Sequence, residues 1–499
     1  MRAVNRRALV VFVSLAAALF AYFVDLRDAG AVPSFARKYQ TSCLTCHTVY
    51  PVLNPFGEAF RRNGYRFPSQ NGSVDSDAVR SSMIPLGQEE YKKMFPNAVW
   101  PSKIPEDVPI SLMFNGAIAA NLPSSDAKKA AGNTFTWNGI VREAHIFAAG
   151  SFNDNFTYFG QLTVGSNGAV DIETAYVLWN DVVGPPHVIN VWLGRLMSPQ
   201  LNSFGLHSSY VGDLLMPAVS VVGLYNPSGS FVLGQGHTDG LELNGIIHHR
   251  FNYSLGWVAS TSAGALHNLN AEDVYAHIGI KSGGVALDGE GKYGPNVPDP
   301  RKPWAEKAVT ADVFAYHGMN VLDNGTGTVA GGAATPIGQR DSIFAVGGSM
   351  RLQYDSLTLT SGLQFEGHSR PYPGTPATAG PGGVAINGVP DTTNAKAVVQ
   401  YNELSYVVYP WLVPAVRTEY ARTTFEGSNP ASLLRVIPGV AMLVRPDIKV
   451  VVAADFERGY GLPPVGSWGA AGGVIVPPGA GVNSMFEAQQ ITTTVAIAF

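Results

Sequence analysis

The chain has 499 residues, a formal net charge of −4 and only 14% charged residues, a balance that excludes a basic nucleic-acid-binding field. Hydrophobic residues make up 46%, high for a soluble chain so poor in charge, and 55 glycines with 34 prolines imply many turns and long loops. The length suits two or three ordinary domains, or one small domain and one large barrel.

The chain opens with Met1-Arg2-Ala3-Val4-Asn5-Arg6-Arg7 and an apolar run from Ala8 to Val24. Ala29-Gly30-Ala31 follows as a small-residue cleavage site. Basic end, apolar middle and small-residue site predict a secretory signal over 1–31, with an uncleaved anchor helix as the alternative. After Val32 no apolar run is long enough for a spanning helix.

Residues 32–107 read as a small α-helical domain. Cys43-Leu44-Thr45-Cys46-His47 holds both cysteines of the chain. This Cys-x-x-Cys-His spacing is the attachment site of a c-type haem. Two thiols at this spacing each add to one porphyrin vinyl group, and the following histidine supplies the proximal nitrogen to iron. The expected cofactor is one covalent haem c, anchored by Cys43 and Cys46 and ligated by His47. A redox disulfide lacks thioredoxin-like surroundings, and half a zinc site lacks a second ligand pair.

Asn54 is a good N-cap and Pro55 suits a first helical position. Glu58 falls in the first turn, and Arg61 and Arg62 close the last turn before Gly64, which predicts a helix over 55–63. Phe56, Ala59 and Phe60 share a face that suits a porphyrin or a small apolar core. Arg37, Arg61 and Arg62 are candidates for haem propionates. A second helix is expected over 87–95, stopped by Pro96, and 100–109 reads as an extended linker. The sixth iron position is open between Met94, Met83, another ligand and none. A thioether there raises the reduction potential.

From 108 to 499 period-two alternation dominates. Ser356 to Glu366 alternates apolar and polar residues, and Phe344 to Tyr354 does the same, with Tyr354-Asp355-Ser356 as the turn of a hairpin. Phe152-Asn153-Asp154-Asn155 and Arg445-Pro446-Asp447 are further short turns. About sixteen strand-like runs are expected, near 108–121, 136–150, 155–165, 170–180, 187–197, 238–250, 252–262, 272–283, 308–318, 341–354, 355–367, 395–407, 411–423, 433–445, 447–458 and 486–499. Long Gly/Pro-rich stretches near 198–236, 284–306, 323–340, 368–393 and 459–484 alternate with the short turns. This is the pattern of an antiparallel transmembrane β-barrel in the outer membrane, with lipid as its surroundings. The alternating run ending at Phe499 resembles the C-terminal signature of bacterial outer-membrane proteins. No catalytic constellation stands out in the barrel. Asp171, Glu173 and Glu366 are candidate lumen carboxylates, and His248-His249 reads as a strand end with the two rings on opposite faces.

The run from Val32-Pro33-Ser34-Phe35-Ala36-Arg37 through Cys43 to Pro51, then Pro55-Phe56-Gly57, Phe60 and Asn63-Gly64-Tyr65, resembles the outer-membrane cytochrome–porin fusions, of which the best known are iron oxidases. The resemblance implies one haem near the N-terminus, then a barrel of about sixteen strands. It also implies electron exchange between an extracellular donor or acceptor, Fe(II) among them, and a periplasmic c-type cytochrome or other soluble carrier. An Fe(II):cytochrome c oxidoreductase is one such activity, and the enzyme class stays open. The chain departs from the iron oxidases at Lys38-Tyr39-Gln40-Thr41, where they carry Gln-Thr-Gly-Trp, and at Val52-Leu53-Asn54, where they tend to carry Glu-Leu-Thr. The resemblance therefore supports haem and architecture more than iron as donor. Two alternatives remain: a solute porin whose haem domain is a plug or redox-sensitive gate, and a soluble periplasmic cytochrome fused to a β-rich module.

Overall fold

A computed structural model of the chain describes residues 34–39, 41–67, 83–84, 93–94, 104–105, 109–121, 135–137, 142–152, 155–166, 168–196, 209–211, 238–259, 273–289, 301–323, 338–369, 394–425, 431–460 and 485–498. The expected signal at 1–31, the helix at 87–95 apart from Lys93 and Met94, and most of the long Gly/Pro-rich stretches lie outside them.

Five small elements come first: α1 (Ser34–Lys38), a 3-10 turn (Cys43–Thr45), β1 (His47–Val49), β2 (Val52–Leu53) and α2 (Pro55–Arg62). Two short strands, β3 (Met83–Ile84) and β4 (Ile104–Pro105), pair with each other. The rest is a closed antiparallel barrel. Its strands are β5 (Ile110–Asn121), β6 (Phe135–Trp137), β7 (Glu143–Ser151), β8 (Phe156–Gly165), β9 (Val170–Trp179), β10 (Asn190–Leu196), β11 (Thr238–Ile247), β12 (Phe251–Val258) and β13 (Asp273–Gly283). They continue as β14 (Glu306–Asp323), β15 (Gly338–Asp355), β16 (Leu357–His368), β17 (Ala395–Tyr406), β18 (Leu412–Phe425), β19 (Ala431–Arg445), β20 (Ile448–Tyr460) and β21 (Met485–Ala498). β6 and β7 pair with successive parts of β5 and form one interrupted stave, so the ring has sixteen staves. β21 pairs with β5, Ala498 opposite Met113, and closes it. Closure leaves no open sheet edge, the condition for a sheet in hydrocarbon.

Burial is inverted relative to a soluble protein. In β13 Asp273, Tyr275, His277 and Lys281 are buried, whereas Val274, Ile278 and Ile280 are exposed. In β14 Thr310, Asp312 and Tyr316 are buried, with Val309 and Val313 exposed. Polar side chains fill the lumen and an apolar band faces outward, as in a barrel surrounded by lipid. Phe152, Trp179, Phe251, Tyr354, Tyr406, Tyr409 and Trp411 are exposed near the end of the barrel that carries the short turns, forming an aromatic girdle there. Among the described residues no helix is long and apolar enough to cross a membrane.

Three expectations are corrected. Of the strand expected over 136–150, the described residues hold two pieces, β6 and β7, which pair with β5 in different registers. The stretch 284–306 joins β13 to β14 at the short-turn end, where Trp304 Nε1 donates to Ser356 Oγ at 3.2 Å. His248 and His249 are not strand residues: both have positive φ and form the β11–β12 turn, with His249 Nδ1 2.6 Å from Asp288 Oδ2.

The expectation of a separate helical domain is corrected as well. Within 32–107, the described residues 34–39 and 41–67 hold helices of only five and eight residues. So short a segment has too little apolar surface for a core of its own. Its apolar side chains are buried against the inner wall instead. Val49, Tyr50 and Val52 cluster with Met113, Val413 and Ala441, and Tyr39, Phe60 and Tyr65 with Tyr176 and Trp192. The segment is a plug in the lumen.

Candidate functional site

The plug is assembled around Asn54. Its side-chain oxygen accepts from Gly57 N at 2.9 Å and caps α2, while its amide donates to Leu44 O and Thr45 O at 3.0 Å each. One buried side chain thus fixes the start of α2 against the Cys43–Cys46 turn. Pro55 occupies the first helical turn and Glu58 follows. At the other end Tyr65 N donates to Phe60 O and Gly64 N to Arg61 O, with Gly64 at φ +68°. This is a Schellman ending, whose accompanying hydrophobic contact is the Phe60–Tyr65 ring pair, 5.9 Å between centroids.

The plug is tied to the wall by polar contacts near the short-turn end. Arg66 pairs with Asp181 at 2.6 Å, Tyr65 Oη lies 2.8 Å from Tyr176 Oη, Lys38 Nζ donates to Ser151 Oγ at 3.1 Å and Arg351 meets Glu58 at 3.3 Å. Burial alone would raise the Asp181 carboxyl. The hydrogen bond and charge of Arg66 outweigh it and hold the carboxyl below its ordinary value. Residues 209–211, from the β10–β11 connection, also enter the lumen. Tyr210 N donates to Glu403 Oε1 at 2.9 Å, and its ring joins the cluster around Val49 and Tyr50.

Between plug and wall lies a largely apolar cavity lined by Cys43, Cys46, His47, Tyr50, Phe60, Arg61 and Tyr65 from the plug. The wall contributes Met113, Phe147 and Phe159, with Pro446, Asp447 and Ala498 at the rim. Both cysteines are free. Burial pushes the Cys46 thiol up to about 12 and raises Cys43 as well, so both are protonated thiols. His47 Nδ1 sits 3.2 Å from Pro51 O, and the backbone of Val52 is a second hydrogen-bonding neighbour of the ring, so the imidazole is oriented by the main chain of the turn that follows it. A metal-ligating histidine is oriented in this way by a carbonyl on its second nitrogen. Burial pushes His47 down to about 4, so the ring is neutral at neutral pH, the form that ligates metal. Two thiols, a neutral oriented imidazole and an aromatic wall in one cavity fit a haem attached through Cys43 and Cys46 with His47 below iron. Among the described residues no group of three or more His, Cys, Asp or Glu is placed to hold a bare metal ion.

The other candidates divide. Phe60 and Arg61 line the cavity, whereas Phe56 packs on Phe67, 5.0 Å between ring centroids. Arg37 donates to Ile110 O at 2.7 Å and lies outside the lining. Arg62 lines smaller lumen pockets with Lys281 and Glu306 and with Glu242 and His277. Met94 is 67% exposed and does not line the cavity, and the side chain of Met83 lies outside what the structure describes. Glu366 is buried in the lumen, Glu173 accepts from Thr163 Oγ1 at 2.6 Å, and Asp171 is exposed. Sequence reasoning missed Met113. In Leu112-Met113-Phe114 three apolar residues adjoin, so alternation does not tell which faces inward.

No protein-family model matches the chain, and no curated protein matches it. Solved structures similar to it include an anion-selective porin from Comamonas acidovorans, at 12% identity and TM-score 0.46 over 78% of this chain and 98% of that one. OmpT of Vibrio cholerae in its trimer form has 10% identity and TM-score 0.45 over 78% and 98%. Salmonella typhi OmpF in complex with daunomycin has 10% and 0.44 over 78% and 97%. The likeness is one of fold and adds nothing to the barrel topology already described.

Proposed function

We propose that this chain is an outer-membrane β-barrel that carries a covalent haem c in its lumen and passes electrons between an extracellular donor or acceptor and a soluble periplasmic carrier. The single observation behind this reading is the cavity that joins Cys43, Cys46 and an oriented His47 at the short-turn mouth of the barrel. In bacterial barrels that mouth faces the periplasm. A haem bound there supplies one-electron chemistry. The protein's part is to keep the group dry with Phe60, Phe147 and Phe159, to hold His47 by Pro51 O, and to fix the plug by Arg66–Asp181 and Tyr65–Tyr176.

The lumen wall carries paired charges. Arg417 meets Glu419 at 2.5 Å, Arg435 bridges Glu419 and Asp455, and Lys281 meets Glu306 at 2.9 Å. Such a polar wall suits a small hydrated ion, and Fe(II) is the external reductant chosen for the test.

Proteoliposomes with a soluble c-type cytochrome trapped inside and Fe(II) added outside test the reading. The wild-type holoprotein is expected to reduce the trapped cytochrome, and Cys43→Ala/Cys46→Ala is expected not to. Equal rates for the two overturn the proposal. A second reading, a solute porin gated by the plug, is favoured by the closed sixteen-stave ring and its polar lumen. It requires stable ion conductance that changes between oxidised and reduced protein.

A further inference from the structure

We infer that Met113, on the barrel wall, is the sixth ligand of the iron, so that the haem is held between the plug and stave β5. The inference rests on the haem reading above. It concerns only which residue of this chain meets the iron from the side that His47 does not occupy.

The argument is one of donors and place. Among the described residues, Met113 is, apart from His47, the only methionine or histidine that the cavity lining contains. It is 5% exposed, on the first turnward residues of β5, opposite Ala498 on one side and His145 on the other. It belongs to the same apolar cluster as Val49, Tyr50 and Val52, the residues that follow His47. A thioether in an apolar setting is a ligand that stabilises ferrous haem and raises the potential.

The competing donors are weaker. His145 stands opposite Met113 on the wall, but Nε2 lies 3.1 Å from Asn115 Nδ2 and Nδ1 lies 2.8 Å from Thr163 Oγ1, so both nitrogens are engaged. Tyr65 Oη is paired with Tyr176 Oη. Tyr50 Oη is buried with no hydrogen-bond partner, and it would ligate only as a phenolate, a second anion beside Asp447. Met94, at 67% exposure, would have to leave the surface.

Plug and wall each bring one axial group, so ligation pins the plug to the barrel. The two cysteines keep the porphyrin attached even when the wall ligand is lost.

The test is the visible spectrum and redox titration of the purified holoprotein. Wild type stands beside Met113→Ala, Met113→Leu and Met113→His, with Met94→Ala, Met83→Ala and His145→Gln as controls. Haem stain per barrel reports attachment, and the mobility shift between unheated and boiled samples reports barrel folding. Met113→Ala and Met113→Leu are expected to lose the sulfur-to-iron charge-transfer band of the ferric state, to lower the midpoint potential and to bind added imidazole, with haem content unchanged. Met113→His is expected to restore a six-coordinate low-spin spectrum at a lower potential than wild type. The controls are expected to match wild type. An unchanged band and potential in both Met113→Ala and Met113→Leu overturns the inference, as does loss of the band in any control. A wild type without covalent haem overturns the haem reading itself, a separate failure. Leu conserves volume, so a folded Met113→Leu barrel keeps the test decisive if Met113→Ala does not fold.

Discussion

At the scale of single residues, the plug depends on close approach. A Cβ added at Gly57 would lie 2.0 Å from the Cys46 carbonyl oxygen, and that atom is backbone with no rotamer to give way. Gly57→Ala is expected to push α2 off the cysteine turn and reduce haem per folded barrel several-fold, read by haem stain against heat-modifiable mobility. Haem content equal to wild type would contradict the packing described. Arg66 is almost fully buried, and removing its partner leaves a buried charge, at a cost on the order of 3 kcal/mol. Asp181→Asn is therefore expected to make the plug sensitive to limited proteolysis at neutral pH. In the wild type the sign follows from the lowered carboxyl. The contribution is fully present above the ordinary Asp value of 3.8 and is lost as pH falls through the lower folded value. Protease sensitivity of the wild-type plug should appear only in that acid window. A variant as resistant as wild type at neutral pH would show the ion pair to be dispensable.

At the scale of elements, α2 was legible because its signals are local. Asn54, Pro55, Glu58 and Gly64 act within one turn of themselves, and the observed helix ends one residue from the expected bound. The staves were legible because a two-residue period survives wherever one face meets lipid and the other meets the lumen. The division into β6 and β7 was not, since hydropathy over 136–150 does not record that the two pieces pair with β5 in different registers. His248 and His249 were misread because positive φ in non-glycine residues leaves no mark in composition. The face assignment is itself testable at β14. Val313 faces outward and Asp312 inward, so Val313→Lys is expected to destabilise the folded barrel in lipid vesicles by about 2–4 kcal/mol if it sits near mid-bilayer. Urea titration of tryptophan fluorescence reads this. An unchanged midpoint would put Val313 away from lipid.

At the scale of the whole molecule, alternation told that a barrel exists and the cysteine motif told that a redox group is plausible, but neither told how the two are joined. Sequence patterns record the polarity of a face and not its partner. A small apolar segment beside a polar-lined ring reads as a separate domain until Val49, Tyr50 and Val52 are seen against Val413 and Ala441. The joining is what turns a ring of staves into a device. With the plug seated, Arg66–Asp181 and Tyr65–Tyr176 hold it beside the short-turn end of the barrel, where the cavity lies. The most direct test is haem stain of outer-membrane fractions from cells that mature c-type cytochromes, run unheated and boiled, for wild type and Cys43→Ala/Cys46→Ala. The account predicts stain on the fast-migrating folded barrel of the wild type, stain that moves with the chain on boiling, and none in the variant. A folded wild-type barrel without stain would contradict it and leave the gated solute porin as the better description.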